Sequence, residues 1–179
     1  MKTKALVTNA MLAAMCAVLG YISLDFGNLK FTFESLPIIV GALLFGPVSG
    51  MAVGGIGTLI YQLLRYGVSA TTLLWMLPYI ICGFLVGFYA KSKDFRLGRV
   101  EIIILIVINE LLITALNTGV MYIDSIIYGY YSYVYIFGTL IPRIIICAAK
   151  AVVYGLIMPG LLSVIQKSLK KEYIKTGSD

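Results

Sequence analysis

Histidine is absent from this 179-residue chain, charged residues are scarce at 12%, and cysteine and proline number only 3 and 5. Without imidazole, the commonest side chain for metal ligation and for acid–base work near neutral pH is missing. Cys16, Cys82 and Cys147 stand alone inside apolar runs, so neither a disulfide framework nor a metal site is expected. Little proline and a 60% apolar content argue against disorder. No paired Asp/Glu motif or nucleophile constellation takes the place of histidine, so an enzyme is not expected, and no cofactor is implied.

What is present is apolar sequence, with a mean hydropathy of +0.97. A soluble domain carries roughly 25% charged residues, so the solvent for this chain is lipid. Crossings are expected near 5–24, 35–46, 48–66, 72–90, 101–124 and 134–165. They form one all-α, six-helix integral-membrane domain over 1–179, with no length left for an extramembrane domain. The 35–46 piece is too short for a full span at 1.5 Å per residue, and Gly46-Pro47 ends it, so it forms a helical hairpin with the next segment. Within that segment, Gly50-xxx-Gly54 permits close helix packing.

Six crossings put both termini on the side of the 91–99 connection. That side holds ten basic residues: Lys2, Lys4, Lys91, Lys93, Arg96, Arg99, Lys167, Lys170, Lys171 and Lys175. The other side holds Lys30 and Arg65. The bias predicts cytoplasmic termini. It also accounts for the net charge of +6 through topology and anionic lipid, without nucleic acid.

On the less basic side, 25–34 (DFGNLKFTFE) alternates as a strand would, with Leu29, Phe31 and Phe33 opposite Lys30, Thr32 and Glu34. Tyr128, Tyr130, Tyr131, Tyr133 and Tyr135 crowd one connection. They suit either an interfacial belt or the lid of a pocket. Within the spans, Glu110, Thr114, Asn117 and Met121 share one helix face, and Arg143, Lys150 and Tyr154 share another. Ionisable groups at membrane depth need partners or a function. Opposing the two faces around the bundle interior gives a Glu110–Lys150 ion pair and leaves Arg143 near Asn117. With Gln62, Arg65, Tyr66 and Trp75 these outline a site, although Arg65 and Trp75 also suit interfacial anchors. On the first helix, Ala10/Ala14 and Ala13/Ala17 give a small-residue face for another helix, within the bundle or in a partner.

The run LPIIVGALLFGPVSGMAVGGIG, the alanine face and the basic side together resemble the substrate-capture (S) subunits of energy-coupling-factor vitamin transporters. Within that group FTFESLPIIVGALLFGP, Leu116-Asn117-Thr118, Arg143 and Lys150 are most similar to the folate-specific subunit. The resemblance implies a multi-pass protein of a prokaryotic cell membrane that binds vitamin without hydrolysing anything. It implies a transmembrane coupling subunit and two cytoplasmic ATPases as partners, with Ala10, Ala13, Ala14 and Ala17 as the docking face. It implies a folate site that takes in Phe33, Gln62, Arg65, Tyr66, Trp75, Asn117, Met121, Tyr131 and Arg143. Folate-type subunits commonly carry a Phe-Pro-Gly-Phe-Thr-like stretch where this chain reads SATTLLWMLP. Pantothenate or another small vitamin is therefore the alternative ligand. A stand-alone secondary transporter is the alternative class, but no half of the chain visibly repeats the other.

Overall fold

In the computed structural model, the backbone is described for residues 2–26 and 29–176 and the side chains for residues 5–23 and 31–165. Expectations that rest on the side chains of Lys2, Lys4, Leu29, Lys30, Lys167, Lys170, Lys171 and Lys175 lie outside the described residues.

Helix α1 (Lys2–Tyr21) runs the length of the bundle and stops three residues short of its expected end. The chain there turns through Ile22-Ser23 into an antiparallel hairpin of β1 (Leu24–Phe26) and β2 (Leu29–Phe31), with Leu24 paired to Phe31 and Asp25 to Lys30. The 25–34 stretch read from its alternation as one extended segment therefore contributes to both arms of a hairpin, and among the described residues the fold is helical apart from these two short strands. Helix α2 (Ser35–Phe45) follows after Glu34. At 11 residues it rises only about 16 Å, half of a membrane.

An 11-residue helix is otherwise too short to be stable in isolation. Here it is apolar all round and enclosed, with Ile38, Ile39, Val40 and Ala42 no more than 2% exposed. It forms the axis of the bundle, beneath the site described below. Gly46, at φ +90°, turns the chain into α3 (Pro47–Tyr66), where Pro47 occupies the first helical turn.

Two close approaches lock α3 in place. A Cβ on Gly50 would fall 2.3 Å from the carbonyl oxygen of Gly83, and one on Gly54 would fall 2.6 Å from that of Tyr79. The Gly50-xxx-Gly54 face therefore packs on α4 (Thr72–Ser92). On its other side, a Cβ on Gly57 would fall 2.6 Å from Cys16 Cβ and 2.9 Å from Ala13 O. The alanine face of α1 is thereby divided: Ala13 and Ala17 are buried, at 4% and 5% exposure, while Ala10 and Ala14 face outward. Helix α3 lies against Ala13, so of the four alanines expected as a docking face Ala10 and Ala14 are the exposed ones.

Helix α5 (Arg99–Ile127) begins with the Gly98 N–H donating to the Glu101 carboxylate at 2.8 Å. After one helical turn, α6 (Tyr133–Phe137), helix α7 (Leu140–Thr176) returns along α5. Among the described residues, four segments are long and apolar enough to cross a membrane: Pro47–Tyr66, Thr72–Ser92, Arg99–Ile127 and Tyr133–Ile165. Ala5–Tyr21 and Ser35–Phe45 are shorter apolar helices. All three cysteines are buried free thiols.

Candidate functional site

At the hairpin end, the walls of the bundle enclose a cavity of about 600 Å³, within the usual range for small-molecule sites. Helix α5 supplies its longest wall: Glu110, Ile113, Thr114, Asn117, Met121 and Asp124, at the spacing of a single helix face. Facing it, α7 contributes Arg143, Ile146, Cys147 and Lys150. Tyr61, Gln62, Arg65 and Tyr66 come from the end of α3, Trp75 and Tyr79 from α4, and Thr32 and Glu34 from the segment before α2. Ser69, Thr71, Tyr128, Tyr130 and Tyr135 line the mouth. A helical rise of 1.5 Å per residue places the Asp124 level about 21 Å above Glu110.

At the floor, Lys150 Nζ meets Glu110 Oε2 at 2.7 Å, with both side chains buried. The expected ion pair is present, and Lys150 also lies 5.9 Å from the centre of the Tyr154 ring. Tyr154, fully buried, shares a 3.0 Å hydrogen bond with Ser35 at the start of α2. Removing charge from one partner of such a pair strands the other in a low-dielectric interior, so the pair ties α5 to α7 under the cavity.

Halfway up, Tyr79 donates to Glu34 Oε1, which also accepts from Thr32 Oγ1 at 3.0 Å. Asn117 Nδ2 donates to Tyr79 Oη at 3.3 Å. The result is a relay from α5 through α4 to the foot of the hairpin. Across from it, Arg143 reaches Thr118 Oγ1 at 3.4 Å and Met121 Sδ at 2.7 Å. Both are neutral acceptors, and among the described residues no carboxylate pairs with this guanidinium. With five N–H donors in a fixed fork, it keeps capacity for an anion.

At the mouth, Asp124 collects three donors from three parts of the chain. Its Oδ1 accepts from Thr71 Oγ1 and from Trp75 Nε1, the latter at 3.3 Å, and its Oδ2 accepts from Tyr130 Oη. Ala70 N–H donates to Tyr128 Oη at 3.2 Å, a second tie between the same two connections. Burial, followed by the hydrogen bond to Asp124, pushes the Tyr130 phenol above its ordinary value. From the tyrosine-rich stretch, Tyr128, Tyr130 and Tyr135 line the cavity, while Tyr133 is 68% exposed.

Of the residues expected at the site, Gln62, Arg65, Tyr66, Trp75, Asn117, Met121 and Arg143 line the cavity together. Phe33 and Tyr131 do not. Phe33 turns into the core, edge-on to Phe31 at 4.9 Å between centroids and 6.1 Å from Tyr154. Tyr131 stands outside, half exposed, against Tyr122 at 5.7 Å. In both cases side-chain direction alternates along the segment and the neighbours, Thr32 and Tyr130, take the inward positions. Arg65 is engaged already: it donates to Tyr21 O at 2.8 Å and to Ser23 Oγ, holding the end of α1 to α3.

Glu34, Tyr79 and Asp124 belong to the site and were not expected there. Asp124 was detectable, since it continues the Glu110, Asn117, Met121 face by three residues. Glu34 had a weaker signal, an acid immediately before an apolar helix in a chain with only 8 acidic residues. Nothing in the local sequence marks Tyr79.

A family profile described as "ECF transporter, substrate-specific component" matches residues 4–169, and the chain belongs to that family. The fold is similar to that of a solved structure described as "Structure and mechanism of the S component of a bacterial ECF transporter". The TM-score is 0.68 at 23% identity, covering 92% of this chain and 99% of that one. No curated protein matches the chain. It is accordingly a membrane-embedded transport subunit and not an enzyme, and it serves a substrate together with the coupling and ATPase subunits of an ECF module.

Proposed function

We propose that this substrate-specific component captures folate or a reduced folate from outside a prokaryotic cell and passes it inward when docked on a transmembrane coupling subunit and two cytoplasmic ATPases. In this reading the chain crosses the membrane six times, with both termini cytoplasmic and the hairpin end outside. The observation that carries it is Arg143, a cavity-wall guanidinium with only neutral partners among the described residues, beneath an aromatic mouth. A guanidinium fork suits the carboxylate tail of folate bidentately, and Trp75, Tyr66 and Tyr135 offer flat faces for its rings. Arg143 is preferred over Arg65 for the tail because Arg65 already holds Tyr21 and Ser23. The outward residues Ala10 and Ala14 offer the coupling subunit a flat helix face.

Calorimetry on the purified protein tests the ligand. Saturable binding of folate, without binding of pantothenate or thiamine, is the expected result. Saturable binding of pantothenate or thiamine with none of folate would overturn the assignment while leaving the transporter class intact.

A further inference from the structure

We infer that Glu34 is a ligand-binding residue. With Asn117 it presents two acceptor oxygens to an N–H donor edge of the ligand's heterocycle, while Arg143 takes the ligand's anionic end. This assignment rests on the folate reading and adds the orientation of the molecule within the cavity.

The argument starts from hydrogen-bond accounting. Among the described cavity-wall side chains, the buried polar atoms without a partner are Glu34 Oε2, Glu110 Oε1 and Asn117 Oδ1. All three are oxygen acceptors. Buried acceptors left unmet are costly, so a wall of this kind is completed by a molecule that brings donors. Glu110 has the charge of Lys150 beside it. Glu34 is 3% exposed, and the partners found for it, Thr32 and Tyr79, are neutral. A Cβ on Gly20 would fall 2.8 Å from Glu34 Oε2, so the glycine preserves the space in which that oxygen sits.

The relay also fixes which atoms are left over. Tyr79 has one proton, and it goes to Glu34 Oε1. Only the amide nitrogen of Asn117 can then face the phenol oxygen, which leaves Asn117 Oδ1 as an acceptor. Glu34 and Asn117 are thus held by one phenol and each keeps one acceptor oxygen. Across the cavity, Arg143 calls for the opposite chemistry. The complementary ligand is dipolar, with adjacent N–H donors at one end and an anion at the other. The 2-amino-4-oxopteridine ring of folate has its 2-amino group and N3–H side by side on one edge, with the glutamate carboxylates at the far end. Pantothenate has a carboxylate but no such edge.

The test compares folate with 2-desamino-2-methylfolate, which keeps the tail and loses the amino donor, by calorimetry on the full-length wild-type protein and on Glu34→Gln. The wild type is expected to prefer folate by roughly ten- to a hundred-fold, as for a hydrogen bond to a charged group. Glu34→Gln should bring the two ligands toward parity by weakening folate alone. Equal affinities in the wild type, or an undiminished preference in Glu34→Gln, would overturn the assignment of Glu34 and leave the folate reading standing. Absence of any folate binding to the wild type would remove both. If Glu34→Gln fails to fold, the wild-type comparison together with Asn117→Ala decides: parity in the wild type overturns the assignment, and a narrowed preference in Asn117→Ala supports it.

Discussion

Trp75 Nε1, at the start of α4, donates to Asp124 Oδ1 near the end of α5 at 3.3 Å, and the same carboxylate receives the hydroxyls of Thr71 and Tyr130. One acid thereby holds together the 67–71 connection, α4 and the tyrosine-rich connection. The chain contains 1 Trp, and it lies in this wall, so tryptophan emission reports on the cavity alone.

Replacing Asp124 by Ala removes the common acceptor and leaves the hydroxyl of Thr71, a residue only 2% exposed, with Ser69 Oγ at 3.3 Å as its remaining partner. The cost is about 1–3 kcal/mol for the closed mouth. We expect the ligand, folate on the proposed reading, to enter and leave faster, with both rate constants raised in stopped-flow tryptophan fluorescence. Hydrogen exchange at Ala70, whose N–H donates to Tyr128, should quicken even without ligand. A change in dissociation rate alone, with Ala70 unaffected, would assign Asp124 to ligand contact and not to closure.

Lys150→Met leaves Glu110 charged and buried without its 2.7 Å partner. A loss of about 3–5 kcal/mol is expected. Adding Glu110→Leu should restore most of the melting temperature in detergent, because two apolar side chains need no compensation there. If the double variant stays as unstable as the single one, the pair is not what ties α5 to α7.

Ala13 and Ala14 are neighbours about 100° apart around α1, and Ala13 is buried while Ala14 is exposed. Ala13→Trp should destabilise the isolated subunit, since the Ala13 backbone lies against Gly57. Ala14→Trp should leave melting temperature and ligand affinity unchanged while reducing co-purification with the coupling subunit and ATPases, because an indole holds two helices apart. Normal assembly of Ala14→Trp would remove this face as the docking surface.

Sidedness is open to labelling, because the three native cysteines are buried. Ser92→Cys and Ser132→Cys place single exposed thiols at opposite ends of the bundle. An impermeant maleimide added to intact cells should modify only Ser132→Cys. Modification of both, or of Ser92→Cys alone, contradicts six crossings with cytoplasmic termini.

Much of this fold follows from the sequence, because helices in lipid must satisfy their own backbone and so announce themselves as long apolar runs. Periodicity within one helix also gave the Glu110–Met121 and Arg143–Lys150 faces, and the cost of burying charge opposed them as an ion pair. What one helix cannot specify is the identity of its neighbour. The alanine pattern of α1 is the same whether α3 or a partner covers it, and only the approach of Gly57 to Ala13 decided. The segments before α2 and after α5 depend on contacts far along the chain, so the structure placed Glu34 and Tyr130 inward and Phe33 and Tyr131 away from the cavity. The Asn117–Tyr79–Glu34 relay joins three segments of the chain. It arises only when packing brings α4, α5 and the entry to α2 within hydrogen-bond reach, a distance that no local pattern encodes.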